Sequence, residues 1–110
     1  MSEQPISSTR LLSADVLAEP LEDDGASAAL ATSSRALHEG TVEVGLWEAG
    51  PGTDTDVEVD EVFLVLSGAG TVTFEDASAV DLRPGVLVRL LAGDRTTWTI
   101  SARLRKLYLA

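Results

Sequence analysis

From Ala36 to the C-terminus, short apolar and β-branched runs alternate with clusters of Gly, Pro, Asp and Ser, the spacing of an all-β sandwich or barrel. Strands are predicted over residues 41–48, 57–66, 70–75, 79–82, 86–91, 96–100 and 103–109. Between them Gly50-Pro51-Gly52, Ser67-Gly68-Ala69-Gly70, Asp76-Ala77-Ser78, Pro84-Gly85 and Gly93-Asp94 supply the backbone freedom that reversals need. No helix longer than a turn or two is required. Residues 1–35 read differently. Ser, Ala, Asp and Glu with scattered leucines predict a loose leader, with at most one short strand or helical turn near 11–17, ahead of a barrel over 36–110.

The most informative stretch runs from Trp47 to Gly68. Strand alternation from Thr53 puts Asp54, Asp56, Glu58 and Asp60 on one face and Thr55, Val57, Val59, Glu61, Phe63 and Val65 on the other. The four acids predict a solvated face; spread along roughly 20 Å of strand, they do not wrap a calcium ion. Glu61 then stands alone on the dry face. A carboxylate there needs a donor, a cation or a proton, because leaving it charged and unpartnered costs roughly several kcal/mol. Every residue from Val62 to Leu66 is apolar, so both faces of that strand are expected to be covered, one by the barrel interior and the other by a second layer or another subunit. So small a barrel has few elements of its own for the second cover, and a homodimer is expected.

Length and charge narrow the partners. A chain of 110 residues, 45% apolar, makes one domain with one modest core. Its 18 acids against 8 bases leave a net charge of −10, which disfavours nucleic acid and anionic membrane surfaces. The charge is uneven: residues 1–81 hold 17 acids and 2 bases, residues 82–110 hold 1 acid and 6 bases, so the end of the chain is placed to neutralise its beginning. There is no cysteine, which removes disulfides, thiolate metal sites and a cysteine nucleophile. The N-terminus lacks a basic segment followed by a long apolar one, and no apolar run nears the roughly 20 residues that span a bilayer, so a cytoplasmic protein is expected. No phosphate loop, G-x-G-x-x-G or Ser–His pair is present. His38 is the sole histidine, and with no chemical partner between Ala36 and Gly40 it is expected at a surface or an edge.

The order Trp47, Pro51-Gly52, Asp60-Glu61-Val62, Val65-Leu66, Gly68, Pro84-Gly85, Ala92-Gly93, Trp98 and Arg105-Lys106-Leu107-Tyr108 resembles the small single-domain cupins (RmlC-like) of the ureidoglycine aminohydrolase and ethanolamine-utilisation type. The resemblance covers residues 47–108 and implies a jelly-roll β-barrel. In the first cupin motif two histidines precede a glutamate and a glycine; Glu61 and Gly68 match, and both histidines are missing. A shorter gap before Glu61 puts Thr55 and Val57 at the ligand positions, a longer one Asp54 and Asp56. Only the shorter keeps phase with Glu61 on a regular strand, the longer needing a bulge. In the second motif Gly85 and Gly93 match, while Leu91, Thr96 and Ile100 replace proline, histidine and asparagine. A metal-dependent cupin presents histidines beside one carboxylate. Only the carboxylate remains here, so neither a metal nor another cofactor is expected.

In 104–110 alternation puts Lys106 and Tyr108 on one face and Arg105, Leu107 and Leu109 on the other, without saying which points inward. The resemblance, in which the lysine and tyrosine recur together, points to Lys106 and Tyr108. Glu61 is then either a strut paired with Lys106 or a working group, and Trp47 and Trp98 either fill the core or face a ligand. Three functions stay open. One is a metal-independent small-molecule binding protein whose barrel mouth holds its ligand with Trp47, Glu61, Phe63, Trp98, Lys106 and Tyr108. Another is an isomerase or hydrolase of a small metabolite, with Glu61 as general acid or base and Lys106 or Tyr108 as its catalytic counterpart. The last is a degenerate cupin serving as a dimerisation scaffold.

Overall fold

The computed structural model describes residues 10–110; the leader ahead of Arg10 lies outside the described residues. Its regular elements are eight strands: β1 (Glu22–Asp23), β2 (Ser33–His38), β3 (Val44–Ala49), β4 (Gly52–Val57), β5 (Glu61–Phe74), β6 (Ala79–Leu82), β7 (Leu87–Leu90) and β8 (Arg95–Leu109). No helix of the described residues is long and apolar enough to cross a membrane.

Two long antiparallel strands, β5 and β8, organise everything else. They pair from Val62↔Leu109 to Phe74↔Thr96, with register shifts between Val65 and Gly70. Each half of this ribbon has its own neighbours. The start of β5 takes β7 and the end of β8 takes β3, followed by β2 and β1. The end of β5 takes β6 and the start of β8 takes β4. The bent ribbon thus joins two sheets into a jelly roll, and Phe63, Val72, Leu82, Leu90, Ile100 and Leu104 fill the space between them, each 0–3% exposed.

The bend corrects one expectation. Ser67-Gly68-Ala69-Gly70 is not a reversal, and the strands predicted over 57–66 and 70–75 are joined into β5, as 96–100 and 103–109 are joined into β8. Gly68 is the reason: at φ +92° it lies against β8 so closely that a Cβ would overlap the Arg103 carbonyl and the Leu104 backbone. A glycine permits either a turn or a close crossing, and sequence does not distinguish them.

The leader is less loose than its composition implies. The boundary expected at Ala36 falls inside β2, which pairs with β3, while Leu30 and Thr32 are buried and Gly50 N–H donates to Leu30 O at 2.6 Å. Near 11–17 the chain forms turns, and Val16 O accepts a hydrogen bond from Arg105 Nη1 at 2.6 Å. Neither β1 nor β2 has an apolar run, so neither gives a strand signal of its own.

The charge asymmetry is realised through β8. Of the five ion pairs among the described residues, four use it: Arg95–Glu75, Arg103–Glu48, Arg105–Glu48 and Lys106–Glu61. Burial works against the Glu48 carboxylate, but hydrogen bonds and charges from Arg105 and Arg103 outweigh it and hold its pKa below the ordinary value. In the apolar run of β5, Phe63 and Val65 face the core. Val62, Leu64 and Leu66 stay half-buried on the outer face, so the second cover expected for this strand is incomplete within the chain.

Candidate functional site

The site forms where the strand predicted over residues 57–66 is broken. β4 ends at Val57 and β5 begins at Glu61, and the intervening turn is pinned to the Gly93-Asp94 turn by Glu58 N–H to Asp94 O at 2.8 Å and Gly93 N–H to Glu58 O at 2.9 Å. The break resets the alternation. Asp54 lies opposite Trp98 and Asp56 opposite Thr96; opposed residues share a face, and Thr96 and Trp98 are buried. Asp54, half-buried, and Asp56, exposed, therefore stand on the cavity side of β4, at its open edge, whereas Val57 and Val59 are 55% and 61% exposed. The acidic face expected to be solvated is so at Asp56 and Asp60 and partly at Asp54, and is overturned at Glu58, which is buried. Asp60 is the one of the four that does not line the cavity; it accepts from Ala92 N–H at 2.9 Å. The inward phase is also the one the longer motif gap requires, with the chain break serving in place of a bulge.

Glu58 departs furthest from expectation. It is 9% exposed, and its Oε2 accepts from Thr96 Oγ1 at 2.6 Å and Trp98 Nε1 at 3.0 Å. The indole N–H of a buried tryptophan needs an acceptor, and that requirement was the available clue. Three residues on, Glu61 also faces inward, its Oε2 taking a hydrogen bond from Lys106 Nζ at 2.6 Å. The ammonium lies 4.4 Å from the ring centroid of Phe63, 4.8 Å from Trp47 and 5.0 Å from Trp98, so one carboxylate and three aromatic faces enclose it. The partner expected for Glu61 is the partner found, and Lys106 is the inward cation, Arg105 pairing with Glu48 instead.

Tyr108 lies across β3 opposite Gly45, where any Cβ would overlap its ring. Its hydroxyl donates to Glu43 Oε2 at 2.6 Å, not to Glu61. Burial, that hydrogen bond and the charges of Glu43, Glu61 and Glu39 all push the phenol above its ordinary pKa, so it stays protonated at neutral pH.

These groups line a cavity of about 300 Å³. Of the residues expected to meet a ligand, Trp47, Glu61, Trp98, Lys106 and Tyr108 reach it, while Phe63, fully buried, does not line it and contributes its ring to the cage around Lys106. Asp54, Asp56 and Glu58 join them from the barrel. The leader adds a wall that sequence did not show: Asp24, Ser27, Thr32 and Ser34 line the same cavity, and Ser27 Oγ donates to Asp54 Oδ2 at 2.5 Å. His38 is exposed at the end of β2, away from these residues.

The donor set does not fit the metal of histidine-bearing cupins. Lys106 engages Glu61, both Asp54 oxygens accept hydrogen bonds, and Thr96 donates its hydroxyl to Glu58. Among the described residues no group of three or more His, Asp or Glu is arranged to hold an ion.

A jelly roll with its cavity at one end of the β5–β8 ribbon, Glu61 at the start of β5 and the glycine pattern of the cupin motifs together define a small cupin. Residues 37–108 match the EutQ-like cupin domain, and the chain belongs to that family. Among solved structures, that of ethanolamine utilization protein Q from Salmonella typhimurium LT2 is 18% identical with a TM-score of 0.64, over 72% of this chain and 68% of that one. The Clostridium difficile EutQ protein is 17% identical with a TM-score of 0.63, over 71% and 65%. A Vibrio parahaemolyticus protein of unknown function, VPA0057, is 15% identical with a TM-score of 0.68, over 83% and 98%. At these identities the likeness is one of fold, and the chain spans about two thirds of the two EutQ chains. A search of the curated proteins finds no match.

Proposed function

We propose that this cupin is a metal-independent binding protein for a small molecule, held at the barrel mouth by Trp47, Trp98 and Tyr108 and oriented by Glu61 and Lys106. The observation that carries this reading is the cavity of about 300 Å³, within the size range of ligand pockets, in which aromatic walls meet convergent polar groups. Binding is favoured over acid–base catalysis because Glu61 Oε2 and Lys106 are held in a mutual pair and the Tyr108 hydroxyl is turned to Glu43. The chain has two tryptophans and both line the cavity, so intrinsic fluorescence reports its occupancy. A screen of small polar metabolites is expected to yield at least one saturable change in that fluorescence, accompanied by a rise in melting temperature. A full screen without either would sink the reading.

Pairing of two copies belongs to the same proposal. Val62 and Leu64 of β5 lie beside Leu109 and Leu87, which are 43% and 67% exposed, and together they leave an apolar strip on the outer face. Light scattering at micromolar concentration is expected to give the mass of a dimer; the mass of one chain would exclude the pairing.

A further inference from the structure

The cavity's charge narrows what can enter it. Five carboxylates line it, those of Asp24, Asp54, Asp56, Glu58 and Glu61, against one cation, Lys106. That cation is matched by Glu61 at 2.6 Å, which leaves four carboxylates in excess. The other basic groups near this end are engaged elsewhere: Arg103 and Arg105 hold Glu48, and Arg35 lies 3.6 Å from Glu19. Of the chain's eight lysines and arginines, Lys106 alone lines the cavity.

Two of the acids, Asp54 and Asp24, are held in their ionised form, and the other three have acceptors to offer. Hydrogen bonds from Ser27 Oγ and Thr55 N–H keep the Asp54 carboxyl below its usual pKa. Burial works against ionised Asp24, yet hydrogen bonds from Ala26, Thr32 and Ser34 outweigh it. The hydrogen bonds of Glu58 and Glu61 all fall on Oε2, and that of Asp56 on Oδ1 from Val57 N–H; among the described residues their second oxygens take none. Glu58, though nearly buried, lines the cavity, and both of its side-chain hydrogen bonds among the described residues use the same oxygen. Beside these oxygens stand the indoles of Trp47 and Trp98, tilted at 54° with centroids 5.5 Å apart, which suit a flat apolar body.

Resting on the pocket's role as a binding site, we infer that its ligand is a small organic cation, an ammonium or amidinium group on a flat or apolar body, with the charge at the free oxygens of Glu58 and Asp56 and the body against the tryptophans. An anion of the same size meets uncompensated carboxylates and no available cation. A bare metal ion meets oxygens that are not arranged to surround it.

Three probes of nearly one shape and different charge test this: benzylammonium, benzyl alcohol and benzoate, titrated against the full chain with tryptophan fluorescence as the readout. Benzylammonium is expected to saturate the signal and to bind at least about tenfold tighter than benzyl alcohol, with benzoate weakest, and its affinity alone falls as salt is raised. Glu58→Gln keeps an oxygen for Thr96 and Trp98 but removes the charge, and is expected to weaken benzylammonium about tenfold while leaving benzyl alcohol unchanged. Should Glu58→Gln fail to fold, Asp56→Asn at a more exposed position makes the same comparison. Saturable binding in which benzyl alcohol or benzoate equals or exceeds benzylammonium would overturn the cation while leaving the pocket as a binding site. Silence from all three probes, together with a silent metabolite screen, would overturn both.

Discussion

Replacing Lys106 with Met is expected to destabilise the fold by about 3–5 kcal/mol, because it removes the partner of a largely buried carboxylate. The Glu61 side chain is 13% exposed, and its only hydrogen bond among the described residues comes from Lys106 Nζ. Methionine has a similar length and an apolar tip that suits the space between Phe63, Trp47 and Trp98, so the loss isolates the charge from the packing. In a domain of this size a change of that magnitude lowers the melting temperature by roughly 12 °C or more. The double variant Lys106→Met with Glu61→Leu is expected to recover most of the loss, since a buried pair replaced as a unit by apolar groups is often neutral or stabilising. Thermal denaturation of the four members of this cycle decides it. A single Lys106→Met variant as stable as the parent would mean that Glu61 finds water or another donor, and that the cage is not closed.

The second large effect is expected at Gly68. An alanine there faces two penalties: the positive φ of 92°, disfavoured for any residue with a Cβ, and overlap with the Arg103 and Leu104 backbone of β8, which has no flexible side chain to move aside. Together they are expected to cost about 2–5 kcal/mol. Gly85 separates the two, because it has nearly the same φ, +95°, with nothing within 4 Å of its missing Cβ. Gly85→Ala is expected to cost only the backbone share, about 1 kcal/mol. Chemical denaturation of the two variants should therefore show Gly68→Ala the weaker by a clear margin; equal losses would show that the β5–β8 crossing opens without cost.

How much of this was legible beforehand varies by residue. The all-β class, the positions of β6 and β7, the inward Lys106 and its pairing with Glu61 follow from alternation, turn residues, charge asymmetry and family resemblance. Glu58 was not legible. Counting by twos carries a strand's phase forward only while the strand continues, and nothing in Val57-Glu58-Val59-Asp60 announces that the ladder stops at Val57. The break is held by hydrogen bonds to the Gly93-Asp94 turn, more than 30 residues away along the chain. Gly68 was ambiguous for a related reason, since the same residue serves a reversal or a close crossing depending on what passes beside it.

By itself, then, the sequence determined the class of fold and the acidic character of the molecule, because these depend on local periodicity and composition, while the choice of Lys106 as the cation that meets Glu61 came from the family resemblance. Only the tertiary structure decided that Asp54, Asp56 and Glu58 face a cavity, that the polar leader closes one side of it, and that Tyr108 turns to Glu43. Each of those depends on which distant segment supplies a hydrogen-bond partner or a packing surface, and pairing between segments far apart in the chain leaves no periodic trace in either one.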